Sequence, residues 1–135
     1  MTEPRSKKLE RLVRVQRQIE RMAENELALV LKERAATDQS RENLVGALGS
    51  LDPVHRAMAG EYARRFAGLE GRIRQLSGFQ AVQEKRLLTE RTKADRLADA
   101  AIEAAGAETR EAEDENLLDL IDAALGQTVK NSSPA

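Results

Sequence analysis

Between Pro4 and Pro134 the chain contains a single proline, Pro53, in the stretch LGSLDPVHRA. Proline lacks an N–H and collides with the preceding helical turn, so it is comfortable only in the first turn of a helix. Asp52 just before it suits an N-cap, because its carboxylate can accept an orphan N–H of the new helix. Gly49 suits the left-handed residue that closes the helix before. The spacing predicts one helix over about residues 6–48 with Ser6 as its N-cap, a bend at 49–52 and a second helix from Pro53 to about Leu125. Residues 126–135 read as a disordered tail.

Composition narrows what such helices can build. Ala, Glu, Lys, Leu and Arg fill 76 of the 135 residues, while two Phe, one Tyr and no Trp leave little for a bulky core. That is the profile of long helices or coiled coil. In the second helix Tyr62, Phe66, Leu69, Ile73 and Leu76 recur in a 4-3-4-3 rhythm, and after Gln80 and Gln83 the face resumes at Leu87, Ala94, Leu97 and Ala101. In the first helix Leu9, Leu12, Val15, Ile19 and Met22 are followed by Ala23, Leu27, Val30, Leu44 and Leu48 four residues out of register, which reads as a stutter. Arg34, Thr37 and Arg41 fall on the weakened middle of that stripe. Gly60, Gly68, Gly71 and Gly78 punctuate the second helix, with a kink expected at Ser77-Gly78.

Folding the chain back at residue 51 sets Ile73 against Val30, Leu76 against Leu27 and Leu87 against Val15 or Gln16, so the two apolar stripes coincide. The fold class that follows is all-α: an elongated antiparallel two-helix coiled-coil hairpin, residues 6–125, whose second helix is the longer. The excess, residues 98–125, either projects or folds back near Gly106. Folding back would bring the acidic segment 108–122 toward the basic segment 5–21.

The functions excluded are as informative. The net charge is −1, the chain has no cysteine, and no window approaches the roughly 20 apolar residues that span a bilayer. MTEPRSKKLERL at the N-terminus lacks the apolar stretch of a signal peptide, so a cytoplasmic protein is expected. His55, the sole histidine, reads as an exposed first-turn residue without the orienting partner a general base needs. No phosphate-cradling GK[ST] loop, calcium loop or metal-ligand spacing is present, and no cofactor or enzyme activity is expected. The stripe Arg11, Arg14, Arg17 and Arg21 has no interleaved aromatics and is diluted by Glu10, Glu20 and Glu24, so a nucleic-acid partner is not expected.

Two surfaces look underemployed. Tyr62 and Phe66 are expected opposite Arg41 and Thr37, with a cation–π contact from Arg41 to Tyr62, making Arg41, Leu44, Tyr62 and Phe66 a candidate partner site at the bend. Leu117, Leu118, Ile121 and Leu125 lie at helical spacing beyond the end of the first helix and, with the four arginines, form a candidate site at the other end.

KLERLVRVQRQIERMAENELALVLKERA, with Leu12, Glu20, Ala23 and Leu27, resembles the opening of the flagellar export protein FliJ and of its injectisome counterpart, the YscO family. The short proline-containing bend and longer second helix extend that likeness over residues 6–125. The resemblance implies a non-enzymatic stalk of a type III export apparatus. Such a stalk inserts into the hexameric export ATPase, much as a gamma subunit enters the ring of a rotary ATPase. It also implies contacts with the export gate and export chaperones, and a peripheral place at the membrane through that apparatus. The ring-binding regions would be residues 5–25 and 100–125, and the gate-binding region residues 37–66. A generic coiled-coil scaffold, self-associating through the Tyr62–Leu76 face, is the rival reading. A secreted hairpin of the WXG type would need a tryptophan at the bend, which LGSLDP lacks.

Overall fold

The structure, a computed structural model, describes residues 2–131, with side chains through residue 128. Its elements are α1 (Arg5–Leu48), α2 (Pro53–Ala57) and α3 (Ala59–Asn131). There is no strand among the described residues. The long α1 and longer α3 pack as an antiparallel hairpin, within two compact units: Met1–Val15 with Lys93–Ala135, and Gln16–Thr92.

In the central unit, Gln16–Thr92, the α3 seam follows the sequence rhythm. Tyr62, Phe66, Leu69, Ile73, Leu76, Gln80, Gln83, Leu87 and Glu90 are all buried or half-buried, and Leu76 is only 1% exposed. The α1 seam corrects the sequence reading. Gln16, Glu20, Ala23, Leu27, Val30, Arg34, Thr37, Arg41 and Leu44 face inward in an unbroken alternation of three and four, with no stutter. Met22 and Leu29 lie one position off that seam and stay exposed.

Several polar side chains on the seam pair across it. The Gln16 amide donates to the backbone O and carboxylate of Glu90, and Arg34 Nη1 donates to Gln80 Oε1 at 2.6 Å. Glu20, 8% exposed, accepts from Arg17 at 3.0 Å and from Arg91 at 2.9 Å. Those two guanidiniums hold its carboxyl below the usual carboxylate range, Arg17 most strongly. Arg86 pairs with Glu26, and Arg72 with Glu33, on the flank. The register also differs from expectation. Arg34 meets Gln80 and Arg41 meets Glu70, whereas a vertex at residue 51 sets Arg41 against Tyr62.

The bend explains that shift. Asp52, extended at φ −63 and ψ 130, accepts from Val54 N at 2.9 Å, and Pro53 opens the helix, as its chemistry requires. That helix is only the five-residue α2, not the start of the long one. Met58, at φ −93 and ψ 2, breaks the regular run, and α3 begins at Ala59 with Tyr62 N donating to Met58 O at 2.9 Å. The turn is thus several residues longer than LGSL alone. Gly49 closes α1 without a left-handed conformation: its N–H returns to Val45 O at 3.1 Å, and no described glycine has positive φ. Helix α3 passes through Gly60, Gly68, Gly71 and Gly78 as one element. A Cβ on Gly60, Gly68 or Gly78 would meet nothing within 4 Å, so none of those three serves close approach within the chain.

In the terminal unit, Met1–Val15 with Lys93–Ala135, the seam is built from smaller residues. Ser6, Leu9 and Val13 on α1 and Ala94, Leu97, Ala101, Ala104 and Glu108 on α3 are buried or half-buried, while Leu12 and Val15 are more than half exposed. Ser6 is not the N-cap. It lies inside the first turn, where Lys7 N and Lys8 N bond to Pro4 O. Its own N–H donates to Glu108 Oε1 at 3.0 Å and its hydroxyl to Glu108 Oε2 at 2.5 Å. The first turn of α1 carries no acid, so a carboxylate from α3 satisfies its orphan N–H and its dipole. The Ser6 hydroxyl, and then its backbone N–H, hold the Glu108 carboxyl below its ordinary range. Helix α3 continues through Gly106 without turning back and reaches Asn131, six residues beyond the expected end. The remainder of the expected tail, residues 132–135, lies outside the described residues.

Candidate functional site

At the bend, within the central unit, Arg41, Leu44, Tyr62 and Phe66 have separate engagements. Arg41 does not stack on Tyr62. Its Nη1 donates to Glu70 at 2.8 Å and its Nη2 lies 3.5 Å from Asp38, contacts that raise its pKa further, Glu70 foremost. Tyr62 instead bonds through its hydroxyl to His55 Nδ1 at 2.9 Å, with ring centroids 5.8 Å apart and tilted by 45°. His55 is half-buried by this contact rather than exposed. Phe66 is half-buried on the seam.

Leu44 lines a shallow groove of about 460 Å³ with Ser40, Asn43, Arg65, Gly68 and Leu69. Sequence reasoning named only Leu44 among them as a site residue. The signal for the rest was Gly68: it sits one position before the seam residue Leu69, where the missing side chain opens space above the helix pair.

In the terminal unit, Arg11 pairs with Glu3, and this contact lowers the Glu3 carboxyl and raises the Arg11 guanidinium. Arg14 is exposed and makes no ion pair among the described residues. Lys8, Arg11, Leu12 and Val15 line a groove of about 410 Å³. Every residue from 111 to 128 is exposed. On this helix Leu117, Leu118, Ile121 and Leu125 are 57, 59, 45 and 60% exposed and share one face. Arg17 and Arg21 belong to the central unit, where Arg17 is bound to Glu20 and Arg21 is exposed. Arg11 and Arg14 go with the terminal unit, and Arg17 holds a seam carboxylate of the central unit.

The Tyr62–Leu76 face, through which a scaffold was expected to self-associate, is occupied by the chain's own seam. Among the described residues no group of three or more His, Asp or Glu is placed to hold a metal ion, and no helix is long and apolar enough to cross a membrane. No family model matches this chain, and neither a curated protein nor a solved structure matches it.

Proposed function

We propose that this protein is a non-enzymatic stalk and adaptor of a type III export apparatus, cytoplasmic and held at the membrane periphery by its partners. The observation that carries this reading is the bare end of α3. Residues 111–128 extend past the start of α1 as a fully exposed helix with an apolar face, a form suited to entering a ring. The likeness of residues 6–125 to the FliJ and YscO proteins supplies the ring's identity: a hexameric export ATPase, with an export gate as the second partner near the bend and export chaperones as further partners.

The test is a titration of the full chain against the assembled ATPase. Changing Leu118 and Leu125 to Gln should weaken binding at least about tenfold, since two exposed leucines buried at an interface contribute more than 1.4 kcal/mol. Changing Tyr62 and Phe66 to Ala should leave ATPase affinity alone. Unchanged affinity in the leucine variant removes this end of α3 from the contact, and no affinity in the parent chain removes the stalk reading.

A further inference from the structure

The bare helix carries a second pattern besides its leucines. Glu111, Glu113, Asp114, Glu115, Asp119 and Asp122 make no ion pair among the described residues, and Arg110 is the only basic residue between 108 and 122. By helical spacing, Glu113 and Asp122 flank the Leu117, Leu118, Ile121 and Leu125 face, and Asp114 extends it. The terminal unit also displays the complement. The groove of Lys8, Arg11, Leu12 and Val15 has two basic residues around two exposed apolar side chains. Arg11 is paired with Glu3, which a docking acid would displace. At 1.5 Å per residue, Leu117 to Leu125 covers about 12 Å of helix and the groove from Lys8 to Val15 about 10 Å, of which the apolar part, Leu12 to Val15, is about 4.5 Å.

The chain's own groove is out of reach of its own bare helix. Glu108 is bound to Ser6 in the first turn of α1, and α3 runs on unbroken through Gly106. Residues 111–128 have therefore already passed Arg5, while Leu12 and Val15 lie on the part of α1 that runs back alongside α3. Pairing two bare helices with each other is opposed by charge, because it sets acids against acids.

We propose that a second copy of this chain is the occupant: residues 111–128 of each copy dock on the Lys8, Arg11, Leu12 and Val15 groove of the other. A two-fold axis makes the contact twice, with the same patch pair reciprocated, which closes the assembly as a dimer. Apolar burial and the acid–base match together supply the attraction, and the latter fixes the orientation. The dimer and the ring contact use the same face of residues 111–128, so they are competing states of that helix, and sedimentation of the chain alone tests the dimer without the ATPase.

Sedimentation equilibrium of the full chain tests it. The expected species at low salt is a dimer, twice 14.9 kDa, whose dissociation constant rises at least about tenfold between 50 and 500 mM salt as charge attraction is screened. Leu12→Gln with Val15→Gln, or Leu117→Gln with Ile121→Gln, should each weaken the dimer at least about tenfold. These side chains are exposed, so circular dichroism should show unchanged helicity. Two charge variants give the sharper result. Lys8→Glu with Arg11→Glu, and Asp114→Lys with Asp122→Lys, should each dimerise poorly alone, and their equimolar mixture should recover the parent mass, because both contacts of the mixed dimer are complementary. A monomer at every concentration, a dimer indifferent to all four variants, or a mixture no heavier than its components overturns the proposal.

Discussion

The two units share one geometry and differ in what fills it. In both, α1 and α3 meet along seams that alternate by three and four residues. The central unit fills its seam with Phe66, Leu69, Ile73, Leu76, Leu27 and Val30 and interposes polar pairs such as Arg34–Gln80 and Gln16–Glu90. In the terminal unit the most buried α3 residues are Ala94 and Ala101, and the Ser6–Glu108 contact fastens one helix to the other. The lesson is that a heptad rhythm fixes which side chains face inward but not what stabilises the pair. One unit draws on apolar burial, the other on close packing of small residues and a helix cap supplied by the partner helix.

The sharpest way to break this comparison is Leu76→Ala. At 1% exposure, Leu76 should cost about 2–5 kcal/mol, read as a lower urea midpoint. Hydrogen exchange should accelerate most among residues 16–92, and an equal acceleration at residues 93–108 would show that the units do not differ in what stabilises them. Leu97→Ala in the terminal unit should cost less, since Leu97 is only half-buried.

Ser6→Ala probes the other source of stability. It removes a hydroxyl-to-carboxylate bond in a residue 4% exposed, and should cost about 1.5 kcal/mol with the exchange confined to residues 5–15 and 93–108. Acid should do the same by another route. Because the folded-state pKa of Glu108 is lowered, its contribution is present above the ordinary carboxylate range and is lost as pH falls through that range toward the lowered value. The parent chain should therefore lose protection in the terminal unit on acidification, and Glu108→Gln should abolish that part of the pH response. Glu20, lowered in the same sense by Arg17 and Arg91, predicts a parallel loss in the central unit.

Gln83→Met should raise stability by about 1 kcal/mol, because Gln83 Oε1 is buried without a hydrogen-bond partner. The smallest effect should come from the open glycines. Gly60→Ala, Gly68→Ala and Gly78→Ala each add a methyl where nothing lies within 4 Å, and each should stabilise the helix by about 0.5–1 kcal/mol. A destabilising Gly68→Ala would mean that the groove it lines is filled by something a methyl displaces.

The sequence made the α3 seam legible because its inward positions, from Tyr62 to Leu76, are apolar and evenly spaced. It hid the α1 seam for the opposite reason. Gln16, Glu20, Arg34 and Arg41 face inward with partners on α3 that linear spacing does not reveal, while Leu12, Val15, Met22 and Leu29 remain exposed. Following the leucines therefore produced a stutter that the backbone does not contain. The register was missed with it, because Pro53 opens a separate five-residue helix and Met58 intervenes before α3. Of the candidate sites, the exposed leucines of the terminal unit could be read from their position beyond the first helix. The engagement of Tyr62 by His55 could not, since it depends on how Met58 turns the chain between them.

The His55–Tyr62 contact also makes the bend optically addressable. Tyr62 is the sole tyrosine in a chain without tryptophan, so near-ultraviolet absorbance and emission above the phenylalanine background originate from that one ring. Its hydroxyl is bonded to an imidazole across the junction of α2 and α3. Any event that parts those two helices exchanges the imidazole for water at the phenol oxygen and alters the signal. The protein thus carries an intrinsic fluorophore at its turn, and engagement of the bend can be followed without a label.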